Sequence, residues 1–217
     1  MEFLRPGSWA EALAAKSAHA DALPIAGGTD VMVELNFDRR RPPVLLDLGQ
    51  VSELRGWTVA DGWLRVGAGV TYAELTGERG NGTAELGRLL PGLAIAARTV
   101  GSPQIRNRGT IGGNLGSASP AGDCHPSLLA AGAQVEVESV RGSRRIGIDE
   151  FFTGVKRNAL APDELIAAVL IRPPARRCRG CRRSCRGCES AASRPCARPR
   201  RARGAPPRAR PSSPPHR

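Results

Sequence analysis

From the first residue to about residue 175, short apolar runs of strand character alternate with segments of helical period. Ser8 stands at an N-cap position, ahead of Trp9, Ala12 and Leu13 on one helical side, with Glu11 three residues on. Residues 44–48 are a short apolar run suited to a buried strand. Residues 57–60 and 63–68 flank Asp61-Gly62, which predicts a β-hairpin. Residues 71–75 and 86–100 carry helical spacing, the second started or kinked at Pro91. Val135 and Val137 alternate with Glu136 and Glu138 in a strand over 134–140, residues 144–148 return beside it, and 166–171 form a last apolar strand. This order is not a regular βαβ series, so the predicted class is α+β with mixed sheets.

Two glycine-rich segments interrupt the pattern. The first, PIAGGTDV at 24–31, reads as the end of a short buried strand (Pro24, Ile25, Ala26), a Gly27-Gly28 turn, and a helix over 29–36. Glycine serves where the backbone needs positive φ or must approach something closely. A strand, a glycine turn and a helix start leave N–H groups free to meet an anion. The second, RNRGTIGGNLGSASPAGD at 106–123, is expected to be a long polar loop with few apolar anchors, chiefly Ile111 and Leu115. Loops of that length inside a compact domain are functional or disordered. Two of them in one domain imply a dinucleotide gripped along its length. GGTD lacks the Rossmann spacing, which excludes that fold.

Charge changes the picture only after the chain is divided. Residues 1–175 hold 18 Lys+Arg and 19 Asp+Glu, whereas residues 176–217 hold 14 Arg and one acid, Glu189. The tail contains no Leu, Ile, Val or Phe and is expected to be disordered. Its cysteines Cys178, Cys181, Cys185 and Cys188 have a zinc-like pairing, but three residues between the pairs leave little room for a structural zinc knuckle. An arginine-rich nucleic-acid tail has electrostatic sense but no aromatic residue for stacking. In the body, Cys124 is the only cysteine, no apolar run is long enough to span a membrane, and no secretory signal is evident. The expectation is a cytoplasmic protein. Cys124 and His125 are adjacent, so their side chains are expected to point apart rather than to form a nucleophile–base pair.

AGGTD followed by TIGGNLGSASPAGD, and then FFTGVKRNALAPDELIAAVLIRP at 151–173, resembles the flavin-binding subunit or domain of the molybdenum hydroxylases. That group includes xanthine dehydrogenase and the carbon monoxide dehydrogenase medium subunit. The resemblance covers residues 1–174 and implies an FAD-binding domain of the vanillyl-alcohol-oxidase/PCMH type, with α/β subdomains at about 1–55 and 56–175. It implies that Pro24, Ile25, Ala26, Gly27, Gly28, Thr29, Asp30 and Val31 wrap the FAD pyrophosphate. Gly27, Gly28 and Thr29 would donate N–H bonds there, and Asp30 would serve its helix as a first-turn acid. Thr110, Gly113, Asn114 and Ser117 would line the diphosphate and ribityl chain. Asp123 would accept from the cofactor's hydroxyl-bearing portion. Val100 and Leu160 would make apolar contacts with the flavin or adenine. His125 as a covalent flavin anchor, known in the wider superfamily, is a less favoured option. For the tail the resemblance adds a third reading, an out-of-frame translation of a GC-rich gene, because the family continues into another α/β domain.

The implied function is an electron-transfer subunit holding FAD. Molybdopterin and 2Fe–2S clusters would sit on a large molybdenum subunit and a small iron–sulfur subunit, and electrons would pass through FAD to NAD or another acceptor. The alternatives are a stand-alone flavin oxidase of the same fold and an arginine-tailed nucleic-acid-binding protein. Neighbouring genes for the two partner subunits discriminate the first, and the reading frame of the DNA beyond codon 175 the second.

Overall fold

The computed structural model describes residues 1–77 and 83–173. The arginine-rich tail, with its zinc, nucleic-acid and out-of-frame readings, lies outside the described residues. Residues Met1–Pro174 form one compact unit.

The chain opens with β1 (Glu2–Leu4), α1 (Trp9–Ala18), β2 (Leu23–Ile25), α2 (Val31–Asn36) and β3 (Val44–Asp47). Its strands form a parallel sheet in the order β1-β3-β2. Helix α1 starts as the sequence predicts, with the Ser8 hydroxyl accepting from the Glu11 N–H at 3.3 Å. Its last turn carries the buried Lys16, whose ammonium donates to the Ala20 and Ala22 carbonyls at 2.8 and 2.7 Å. Those bonds fasten the end of α1 to the start of β2.

After a 3-10 turn at Ser52–Leu54 come β4 (Trp57–Ala60) and β5 (Trp63–Gly67). They form the predicted hairpin, with Asp61 and Gly62 at φ 52° and 75°, as a type I′ turn demands. Helix α3 (Tyr72–Leu75) is held by a capping box between Thr71 and Glu74. The predicted helix over 86–100 is two helices, α4 (Thr83–Leu89) and α5 (Pro91–Thr99), because Pro91 has no N–H to continue the first and a φ that suits the start of the second. Helices α6 (Pro103–Arg108), α7 (Ile111–Ser117) and α8 (His125–Ala130) follow.

The remaining elements are β6 (Gln134–Ser139), β7 (Gly142–Gly147), α9 (Ile148–Phe151), β8 (Phe152–Gly154), β9 (Arg157–Asn158) and β10 (Leu165–Ile171). The second sheet runs β4-β5-β10-β6-β7 and is antiparallel throughout. Strand β10 is central and buried at all seven positions, hence its unbroken apolar sequence. The class is α+β, as expected, but the sheets are not mixed: the three-stranded one is purely parallel, and the five-stranded one and the two-stranded β8–β9 ribbon are purely antiparallel. A continuous core runs from Leu46 through Leu64, Leu75, Ile111, Leu115 and Phe151 to Ile171.

Candidate cofactor site

The first glycine segment leaves β2 at Ile25 and enters α2 at Val31, two residues later than the sequence period suggested. Gly28 has φ 78°. Among the described residues, no hydrogen bond takes up the N–H groups of Gly27, Gly28 and Thr29. Gly27 serves a different need. A Cβ there would lie 2.0 Å from the Arg108 carbonyl oxygen and 2.9 Å from the Gly109 Cα, so the two glycine segments touch backbone to backbone.

The second segment is not the long loop expected. Residues 103–108 and 111–117 are the helices α6 and α7, joined through Gly109 and Thr110. Thr110 is the N-cap of α7, its hydroxyl accepting from the Gly113 N–H at 3.0 Å. Ile111 and Leu115, one turn apart, are fully buried. A glycine-rich helix has low intrinsic propensity, and tertiary contact offsets it. Gly112 donates to the Ala68 carbonyl at 2.9 Å, and a Cβ on Gly112 would lie 2.5 Å from that of Ala68. The glycines here let α7 lie directly on the strand end.

Between the segments lies a cleft of about 1430 Å3, larger than the ~300–1,000 Å3 of ordinary small-molecule sites. Pro24, Ala26, Gly27, Gly28, Thr29, Asp30 and Val31 line it from one side, and Thr110, Gly113, Asn114, Ser117 and Asp123 from the other. Val100 and Leu160 also line it. Ile25 does not: it faces a smaller apolar groove with Met1, Phe3, Met32 and Leu45. The alternation of side chains along β2 accounts for this, since Pro24 and Ile25 point to opposite faces.

The Asn114 backbone carbonyl accepts from the Ser117 hydroxyl at 3.0 Å and lies 3.3 Å from His125 Nε2, while its side-chain oxygen is buried with no hydrogen-bond partner among the described residues. His125 stacks on Phe152 at 4.4 Å, and neither it nor Cys124 lines the cleft. Burial lowers the His125 pKa, so the ring is neutral. Burial also pushes the Cys124 thiol up to about 12, which keeps it protonated. These positions speak against the covalent-anchor option for His125 and against a thiolate nucleophile. Among the described residues, no three His, Cys, Asp or Glu side chains gather as a metal-ligand set.

Several cleft residues carried no sequence signal. Tyr72 lines the cleft beneath Gly109, its buried hydroxyl beside the Cys124 thiol. Burial first, and then Cys124, raises its pKa, so it stays a neutral phenol. Lys16 reaches the same cleft, as do Lys156 and Asn158 from the β8–β9 hairpin. Glu164 holds the Leu160 segment in place. Its carboxylate takes two bonds from Arg144, at 2.7 and 2.8 Å, and accepts the Ala161 N–H at 2.8 Å. The Arg144 guanidinium keeps the Glu164 pKa below the usual carboxylate range.

Residues 1–174 match the family described as the FAD binding domain in molybdopterin dehydrogenase. This chain belongs to that family. The nicotinate dehydrogenase FAD-subunit of Eubacterium barkeri is 37% identical over 178 residues, covering 80% of this chain and 58% of that protein. Quinoline 2-oxidoreductase from Pseudomonas putida 86 superposes with a TM-score of 0.75 at 30% identity, over 81% of this chain and 60% of that one. A reconstituted carbon monoxide dehydrogenase from Oligotropha carboxidovorans gives a TM-score of 0.75 at 29% identity, over 80% and 59%. The chain therefore spans less than two thirds of the relatives it matches. The residues of this FAD-binding domain fit the cofactor. The first glycine segment offers unpaired N–H groups, and the orphaned Asn114 oxygen waits for a donor. No helix among the described residues is long and apolar enough to cross a membrane.

Proposed function

We propose that the chain is the FAD-carrying electron-transfer component of a molybdenum-containing hydroxylase or dehydrogenase. It would take electrons from 2Fe–2S centres on a small subunit, fed by a molybdopterin-bearing large subunit, and pass them to NAD or another acceptor. The observation that carries this reading is the cleft walled by both glycine segments in a domain of this family. It is supported by the names of the relatives, which describe FAD subunits of dehydrogenases. Bound FAD supplies the redox chemistry, accepting and releasing electrons one or two at a time.

The chain's own task is placement. Gly27, Gly28 and Thr29 offer N–H groups to the pyrophosphate, Gly28 taking the positive φ that the turn needs. The Gly113 N–H is already held by Thr110, so Gly113 contributes open space, while the Thr110 hydroxyl keeps its own proton to donate. Asn114, Ser117 and Asp123 supply polar contacts along the chain of hydroxyls. Val100 and Leu160 give apolar surface for a ring system.

The test begins with equilibrium titration of the purified chain with FAD, followed by flavin fluorescence. Wild type should bind one FAD, and Asp123→Ala should lose about 1.5–3 kcal/mol of affinity if a charge-assisted hydrogen bond is removed. In the loaded protein, anaerobic addition of an aldehyde or purine should leave the flavin spectrum unchanged. Bleaching by such a substrate with no partner present would sink the relay and favour a stand-alone oxidase.

A further inference from the structure

Helix α2 and the β8–β9 hairpin are joined at the rim of the cleft. The Lys156 ammonium donates to Glu34 at 2.5 Å, across 122 residues of sequence, and both residues line the cleft. The hairpin's other polar anchors run to the opposite wall. The Lys156 N–H donates to the Ala118 carbonyl at 3.1 Å, and the Asn158 side-chain amide donates to the Gly116 carbonyl at 2.9 Å. Those two carbonyls belong to the C-terminal end of α7. The hairpin is thus tied to the second-segment wall by bonds to backbone carbonyls, and to the first-segment wall by an ion pair.

Lys156 itself sits at φ 53°, in the left-handed region that costs a non-glycine residue. A glycine would relieve that cost but would carry no amine. The pair is a poor fold strut, because its side chains are 60% and 23% exposed and exposed pairs contribute little to stability. Glu34 also has Arg40 at 3.8 Å, so removing Lys156 does not strand its charge. A weak, quickly broken contact between the walls of a cleft suits control of passage better than it suits stability.

We propose that Glu34 and Lys156 form an ionic clasp across the cleft that sets how long the dinucleotide stays bound. The inference rests on the FAD reading above. With the pair closed, the hairpin and α2 narrow the mouth on the side where the first glycine segment turns into α2. With it open, the hairpin remains docked on α7 and only the route out widens. The clasp therefore acts on the rates of uptake and release more than on the contacts made by bound cofactor.

The experiment uses the full chain loaded with FAD and diluted into a flavin-scavenging apoprotein, with release followed by fluorescence. Glu34→Gln and Lys156→Gln should each speed release about two- to fivefold. The double variant should be no faster than either single one, the signature of two groups acting as a pair. Melting of the apo forms should stay at the wild-type temperature. Unchanged release in both single variants, effects that multiply in the double variant, or melting temperatures that fall in step with retention would each overturn the clasp. A wild-type chain that takes up no FAD overturns the cofactor reading and the clasp together. Wild-type retention with indifferent variants overturns the clasp alone.

Discussion

Replacing Gly27 by alanine should damage this domain more than the same change at Gly28, although Gly28 has the unusual backbone. A Cβ added at Gly27 would stand 2.0 Å from the Arg108 carbonyl oxygen, 2.6 Å from its carbon and 2.9 Å from the Gly109 Cα. Non-bonded heavy atoms sit comfortably at about 3.5–4.0 Å. The two segments must therefore separate by roughly 1.5 Å, and no side chain can rotate to absorb it, because every atom met is backbone. Overpacking of this kind costs typically ~1–3 kcal/mol, and a backbone clash belongs at the upper end. At Gly28 the added methyl would meet only Met32 and Ile25 side-chain atoms at 3.4 and 3.5 Å, so the cost there is that of φ 78°. That is about 1–2 kcal/mol for a left-handed alanine.

The substitutions also differ in where the strain falls. Gly27→Ala pushes apart the two walls that hold the cofactor, so it should weaken FAD binding about tenfold or more in addition to lowering stability. Urea denaturation of the apo form gives the stability change and FAD titration gives the affinity. If Gly27→Ala stays within about 0.5 kcal/mol of wild type in both, the contact between the glycine segments does not carry the cleft geometry.

Two further outcomes follow from buried polar groups. Tyr72→Phe should leave the apo stability within about 1 kcal/mol of wild type, because the buried hydroxyl has only the Cys124 thiol, a weak partner, beside it; a larger fall in the melting temperature would show that the hydroxyl has a stronger partner. Glu164 has its pKa depressed in the fold by Arg144, so its contribution is present above the unfolded value of 4.5 and is lost as pH falls through the lower, folded one. Glu164→Gln should therefore destabilise the domain at neutral pH and flatten the acid limb of its urea-midpoint profile, whereas an unchanged limb would place the acid sensitivity elsewhere.

Much of the architecture was written locally. The Ser8 cap, the Asp61-Gly62 turn, the alternation of Val135 and Val137 and the apolar run of β10 each depend on neighbours within a few residues, and each formed where the pattern placed it. The glycine segments were visible for the same reason: glycine is chosen for what the backbone does at that position. The sequence thus determined those elements, the α+β class and the two glycine segments. Tertiary structure decided the rest. Residues 111–117 became a helix because Gly112 could lie on Ala68 and because Ile111 and Leu115 found a core, neither of which local propensity records. The meeting of Tyr72 with Cys124, the closeness of Gly27 to Arg108 and the Glu34–Lys156 pair arise from segments far apart in the chain. No periodicity reports such meetings, since they depend on where the two sheets and their connecting helices come to rest against one another.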